Sequence, residues 1–401
     1  MKLAENLSRL GTESAFEVLA RAVAIDAEAA AAGGPRVINL GIGQPDFPTP
    51  PHIVEAAARA LRDGHHGYTP ANGILPLREA VAADVLARRG VAVSPDDIVC
   101  VPGGKVTMSF AIMMFGEPGA EILYPDPGFP IYRSMIAYTG ATPVPMKLHE
   151  RSGFSFSADE VLAQVNGRTR LIIVNSPANP TGGVVPKSEF DRLVAGLERW
   201  PDVAVLSDEI YARMVYDVGN GGGEGHVSLL SYPQIRDRLI LLDGWSKTYA
   251  MTGWRLGWGL WPPGLAEIAT RMAVNIHSCV NAAAQWAGIA ALTGPQDAVD
   301  TMVAEFDRRR AAIVPALNAL PGMGCVDPRG AFYAFPNIAG TGLTARQFQD
   351  RLLAEQRVAV IAGTSFGDAG EGFVRFSYAA SLAAIEEALD RTRAFLERAA
   401  A

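Results

Sequence analysis

Five short, nearly uninterrupted apolar runs limit what this chain can fold into: IVCV (98–101), EILY (121–124), LIIV (171–174), VAVL (203–206) and LILL (239–242). Each has the length of a strand, and an unbroken apolar run, unlike an alternating one, indicates a strand covered on both faces. Most are separated by stretches long enough for a crossover helix, such as Ser188 to Trp200. The pattern predicts an α/β fold with a parallel or mixed sheet between helical layers. Such sheets bind ligands at the carboxyl ends of their strands, so the residues just after each run are informative. They are Pro102-Gly103-Gly104-Lys105, Pro125-Asp126-Pro127-Gly128-Phe129, Asn175-Ser176-Pro177-Ala178-Asn179-Pro180, Ser207-Asp208-Glu209-Ile210-Tyr211 and Ser246-Lys247. An acid, a phenol, an amide, a lysine and a glycine turn thus converge on one edge.

The last run opens the stretch LILLDGWSKTYAMTGWRLGW (239–258), which sets Lys247 in a loop directly after a buried strand, flanked by Trp245, Tyr249 and Trp254. Partial desolvation there favours the neutral amine and lowers its pKa, the condition that makes Schiff-base lysines nucleophilic. The ordinary alternative is a surface lysine with its head in water. Only five of the 35 basic residues are lysine (Lys2, Lys105, Lys147, Lys187, Lys247), so arginine supplies the routine charge and that alternative weakens.

A chain of 401 residues with 49% hydrophobic content can bury one or two large cores and predicts two domains. Its net charge of -7 offers no basic face to nucleic acid and no membrane-surface character. Cys100, Cys279 and Cys325 lack CxxC spacing and read as reduced core residues. The six histidines form no metal-ligand pattern, and no transmembrane or signal-peptide run is visible. The expectation is a soluble, cytoplasmic globular protein without a metal site.

Residues 14 to 32 have helical apolar spacing and stop at Gly33-Gly34-Pro35. VINLGIGQPDFPTPP then runs extended, either as a connection between domains or as bare backbone close to a ligand. A helix comes next over Ile53 to Leu61, then a loop with Tyr68-Thr69-Pro70. The run Gly219 to Gly225 reads as a flexible surface loop. Beyond about residue 290 the texture changes to long amphipathic helices, a late strand pair, AFYAFP (331–336) and FVRFSYA (373–379), and a closing helix over Leu382 to Ala399. A large domain is therefore expected over 46–290, with 1–45 and 291–401 forming a smaller one.

A lysine that forms an imine needs an electron sink, and pyridoxal 5'-phosphate (PLP) is such a sink. Its phosphate needs donors and positive charge. Gly103-Gly104-Lys105 leads from a strand into an apolar helix whose N-terminus binds anions, and Ser246 and Arg255 flank the lysine. Its pyridine nitrogen needs a sheltered carboxylate, and Asp208 is the candidate, although Ser-Asp-Glu after a strand is also a common helix cap. Tyr211 and Asn179 can donate to the ring's phenolic oxygen, and Phe129 offers a face for stacking.

On these residues the sequence resembles the fold-type I, class I/II aminotransferases of the aspartate aminotransferase kind, over nearly its whole length. The matching motifs are LGIGQPDFPTP (40–50), YTPANGILPLREA (68–80), NSPANPTGG (175–183), SDEIY (207–211), SKTYAMTGWRLGW (246–258), GAFYAFP (330–336) and VRFSYA (374–379). The resemblance implies a mixed, mostly parallel seven-stranded sheet with helices on both faces plus a smaller α+β domain. It implies that Lys247 carries PLP and shuttles the proton, that Asp208 pairs with the pyridinium, and that Tyr211 and Asn179 meet the phenolic oxygen. It also implies a phosphate held by Gly104, Lys105, Ser246 and Arg255, with Tyr68 reaching it from a partner subunit. Arg375, assisted by Asn179 and the backbone of Gly41, would clamp the substrate α-carboxylate. The implied assembly is a homodimer with shared active sites. Ala178 and Trp245 depart from the residues common at those places, without removing a catalytic function.

The reading is a transaminase passing the amino group of an L-amino acid to a 2-oxo acid such as 2-oxoglutarate. Lys105 permits an acidic donor, whereas Phe16, in the segment bordering the side-chain pocket of relatives, favours an aromatic or aliphatic one. The alternatives are a PLP-dependent β-eliminating carbon-sulfur lyase and a PLP-sensing module without catalysis.

Overall fold

The computed structural model describes residues 1–31, 33–217 and 225–400. All five apolar runs form strands of one seven-stranded sheet: β1 (Ile98–Val101), β2 (Glu121–Asp126), β3 (Thr142–Lys147), β4 (Thr169–Asn175), β5 (Ala204–Asp208), β6 (Leu239–Gly244) and β7 (Gly257–Leu260), in the order β1-β7-β6-β5-β4-β2-β3. Neighbours from β6 through β5, β4 and β2 to β3 are parallel, and β7 runs antiparallel to both β6 and β1. Alternate residues of each central strand go to opposite cores. Ile172, Val174, Val205 and Leu241 face one, and Leu171, Ile173, Leu206 and Leu242 the other. Helices Leu75–Arg89 and Lys187–Leu197 cover the first face, and Gly104–Phe115 and Leu265–Ile276 cover the second.

Two strands of this sheet escape the reading from apolar runs. The β3 sequence TPVPMK contains two prolines and is partly exposed, which suits only an edge strand. The β7 sequence GWGL contains two glycines, which weaken a strand signal. A Cβ on Gly257 would strike the backbone nitrogen of Gly104, and one on Gly259 would come 2.6 Å from Thr107 Cγ2. Those glycines let the helix Gly104–Phe115 lie directly on the sheet.

A third core gathers Phe332, Tyr333, Phe376 and Tyr378 under helices Asp297–Asn318, Ala345–Gln356 and Leu382–Ala400. The late strand pair is shorter than expected, Tyr333–Ala334 against Val374–Ser377, and Ile361–Ala362 adds a third antiparallel strand. Ile38–Asn39 pairs in parallel with Val358–Ala359, tying the start of the chain to its end. The loop expected over Gly219 to Gly225 lies outside the described residues apart from Gly225. Among the described residues no helix is long and apolar enough to cross a membrane, and no group of three metal-ligating side chains occurs.

Candidate active site

Register brings the chemistry together. Asn175, the last residue of β4, lies opposite Asp208, the last of β5, and Asp208 lies opposite Leu242 of β6. Beyond these ends opens a cavity of ≈ 530 Å³ that Lys247, Asp208, Tyr211, Asn179, Phe129, Gly104, Lys105, Ser246, Arg255 and Arg375 all reach. Gly41 touches the group through its backbone carbonyl, which accepts from Arg375. Tyr68 does not reach it: the residue is 93% exposed and lies against a separate cleft with Leu61 and Cys279.

Lys247 Nζ donates to the carbonyl of Gly43 at 2.5 Å. Burial pulls its pKa down to about 8, with the positive charges of Arg375 and Arg255 adding to the effect. The rings near the amine are not those expected. Trp245, Tyr249 and Trp254 hydrogen-bond to Gly288 O, Gln296 Oε1 and Thr49 Oγ1 and belong to the core beneath the loop. Tyr211 and Phe332 take their place, each with its ring centroid 5.9 Å from Nζ.

Asp208 caps no helix, since turns come after it. Its carboxylate is buried and accepts a 2.6 Å hydrogen bond from Tyr132 Oη. Desolvation raises its pKa to about 6, and the Tyr132 hydroxyl and the Ile210 amide work against that rise. The Tyr211 hydroxyl lies 2.7 Å from that of Tyr333, and burial pushes its pKa well above the ordinary phenol value.

Arg375 is buried and donates Nη1 to Asn179 Oδ1 at 2.7 Å and Nη2 to Gly41 O at 2.5 Å, while Nε has no partner among the described residues. Its guanidinium stacks 4.5 Å from the Tyr333 centroid and 4.7 Å from that of Phe366. Arg255, left-handed at φ 53°, donates to Thr252 O at 2.8 Å and Pro102 O at 3.3 Å. Its guanidinium packs so closely over Gly103 that a Cβ there would collide with it, and Gly103 itself sits at φ 88°. Only glycine satisfies both demands. The helix beginning at Gly104 directs the amides of Gly104 and Lys105 at the same space.

Among the described residues Lys247, Arg255 and Arg375 have no carboxylate partner, whereas Lys105 Nζ pairs with Glu13 Oε2 at 3.0 Å. Arg375 is buried and Lys247 half-buried, whereas Arg255 is exposed, and a buried cation left on neutral acceptors is costly unless an anion arrives. The cavity thus sets three cations without carboxylate partners among the described residues beside the buried Asp208 carboxylate, an arrangement open to anionic groups. Tyr132, Tyr333 and Glu13 are site residues that the motifs did not single out. Tyr333 lies within GAFYAFP, but its apolar neighbours give the hydroxyl no signal.

The model of the family described as aminotransferase class I and II matches residues 35–391. An aspartate aminotransferase of Pyrococcus abyssi is 38% identical over 364 residues, 90% of this chain and 92% of that protein. Aromatic-amino-acid aminotransferase 2 of Thermococcus litoralis is also 38% identical, covering 90% of this chain and 92% of that protein. The crystal structure of the aspartate aminotransferase from Rhizobium meliloti superposes with a TM-score of 0.92 at 34% identity, covering 99% of each chain. With the strand order, the cavity and this similarity in agreement, the chain belongs to the class I and II aminotransferases.

Proposed function

We propose that this chain is a PLP-dependent aminotransferase that moves the amino group of an L-amino acid, aspartate-like or aromatic or aliphatic, to a 2-oxo acid such as 2-oxoglutarate. The observation that carries the reading is the set of three cations without carboxylate partners among the described residues, Lys247, Arg255 and Arg375, around a cavity that holds a buried Asp208. The donor set fits PLP. A helix N-terminus with Ser246 and Arg255 suits a phosphate dianion, Asp208 suits a protonated ring nitrogen, and Phe129 supplies an aromatic wall.

PLP, when bound, supplies an electron sink for the charge left at the substrate α-carbon. Lys247 would hold it covalently and, once released, take and return the α-proton at Nζ, a general acid-base role worth about 10²–10⁴-fold in rate. The lowered pKa places that amine near the range where proton transfer is efficient in both directions. Asp208 would hold a proton shared with the ring nitrogen, and Tyr132 orients its carboxylate. Asn179 turns Oδ1 to Arg375, which leaves its Nδ2 to join the Tyr211 hydroxyl as a donor to the phenolic oxygen. Arg375, fixed by Asn179 and Gly41 and stacked on Tyr333, would grip the substrate α-carboxylate.

The same reading divides the chain into a large domain at 46–290 and a small one at 1–45 and 291–401. Pairing of Ile38–Asn39 with Val358–Ala359 supports this division. It also takes the active form as a homodimer in which Tyr68 serves the partner's phosphate site. The exposed Tyr68 ring, outside its own cavity, supports that role. Incubation with a panel of amino donors and 2-oxoglutarate tests the function. Glutamate formation coupled one-for-one to donor loss is expected; pyruvate released without consumption of an oxo acid would assign the site to elimination instead.

A further inference from the structure

Of the four cations that face the cavity, three have work in the proposed reaction and no carboxylate partner among the described residues; Lys105 differs. Its Nζ lies 3.0 Å from Glu13 Oε2 and 5.1 Å from the Phe129 ring centroid, and Glu13 and Lys105 line the cavity beside Phe16, Leu19 and Ile42. No step of the proton transfer uses the Glu13 carboxylate. We propose that Glu13 sets the side-chain class of the substrate: its carboxylate occupies the lysine that would otherwise receive a second carboxylate, so the site discriminates against dicarboxylic ligands and for apolar ones. The inference rests on the transaminase reading for the identity of its ligands.

Glu13 does not hang on a loose tail. Gly11 N donates to Ser134 Oγ at 2.9 Å, Thr12 Oγ1 donates to Glu17 Oε1 at 2.9 Å, and Phe16 N donates to the Glu13 carbonyl at 3.0 Å as the helix Ser14–Ala31 begins. These bonds place the carboxylate over the cavity, where its charge also acts on Lys247 and Arg375. With the Lys105 charge paired, the cavity lining still offers the apolar side chains of Phe16, Leu19 and Ile42, a surface for an aromatic or aliphatic side chain. A distal carboxylate entering there must compete with Glu13 for the lysine and meets its like charge. The Lys105 side chain is 42% exposed and that of Glu13 21%, so the pair is weak enough to be displaced. Discrimination is therefore graded and not absolute.

The test is equilibrium binding of maleate, a dicarboxylate, and 3-phenylpropionate, an apolar monocarboxylate, to the cofactor-loaded protein and to Glu13→Gln. Loss of one partly exposed ion pair and one like charge should tighten maleate about three- to tenfold while 3-phenylpropionate stays within about twofold. Adding Lys105→Met to Glu13→Gln should abolish the gain. Unchanged or weaker maleate binding by Glu13→Gln, with 3-phenylpropionate affinity intact, overturns the role of Glu13 alone. Failure of both ligands to bind the natural protein overturns the transaminase reading and this inference with it.

Discussion

Asp208 and Lys247 are both moved off their ordinary pKa values by desolvation, and each shift has a measurable consequence. The Asp208 pKa is about 6 when folded against 3.8 for an ordinary aspartate, so the folded state binds more protons between those values. Stability of the cofactor-free protein should therefore fall as pH rises from about 4 to 6 and stay lowered above that. Asp208→Asn removes the penalty. It should stabilise the cofactor-free protein at pH 7 by up to about 3 kcal/mol, with no gain below about pH 4, in urea unfolding at each pH. A variant less stable at pH 7 would mean that burial does not penalise the carboxylate. For Lys247 the reactive form is the neutral amine, so the rate of PLP uptake should rise about tenfold per pH unit below 8 and level off above it. Stopped-flow absorbance would read this, and a flat profile from about pH 6 to 9 would contradict it. These two residues were legible in the sequence because each stands within five residues of the end of an apolar run. Tyr132, Tyr333 and Glu13 were not, since their partners lie 76, 122 and 92 residues away and no local spacing marks the contact.

At the scale of elements, unbroken apolar runs identified five strands because those strands are covered on both faces. The strands that were missed have different physics. β3 is a proline-bearing edge, and β7 gives up side chains to let a helix approach. That second feature is testable, because Gly257 lies against the turn whose amides are proposed to hold the phosphate. Gly257→Ala should push the Gly103–Gly104 turn away, cost about 1–3 kcal/mol of stability and weaken PLP retention. Gly264→Ala, with open space around its Cβ, serves as the comparison, although its φ of 86° carries its own strain. Equal PLP affinity in Gly257→Ala and the natural protein would show that the strand contact does not position the turn.

For the whole molecule, the site gathers residues from Glu13 to Arg375, so nearly the full chain must fold before the cavity exists. Of the expected set, Gly41 meets the site only through its carbonyl on Arg375, and Tyr68 is turned away to a separate cleft. On the homodimer reading, sedimentation should give a species of twice 42.6 kDa, and Tyr68→Phe should loosen PLP although its ring lies outside its own cavity. A fully active monomer would remove both expectations. The proposed chemistry depends throughout on covalent attachment at one amine. Borohydride reduction of the PLP-loaded protein, with peptide mass spectrometry to locate the label, tests that most directly. The phosphopyridoxyl mass should fall on the peptide containing Lys247 and on none of Lys2, Lys105, Lys147 or Lys187; a label on another lysine, or none anywhere, would contradict it.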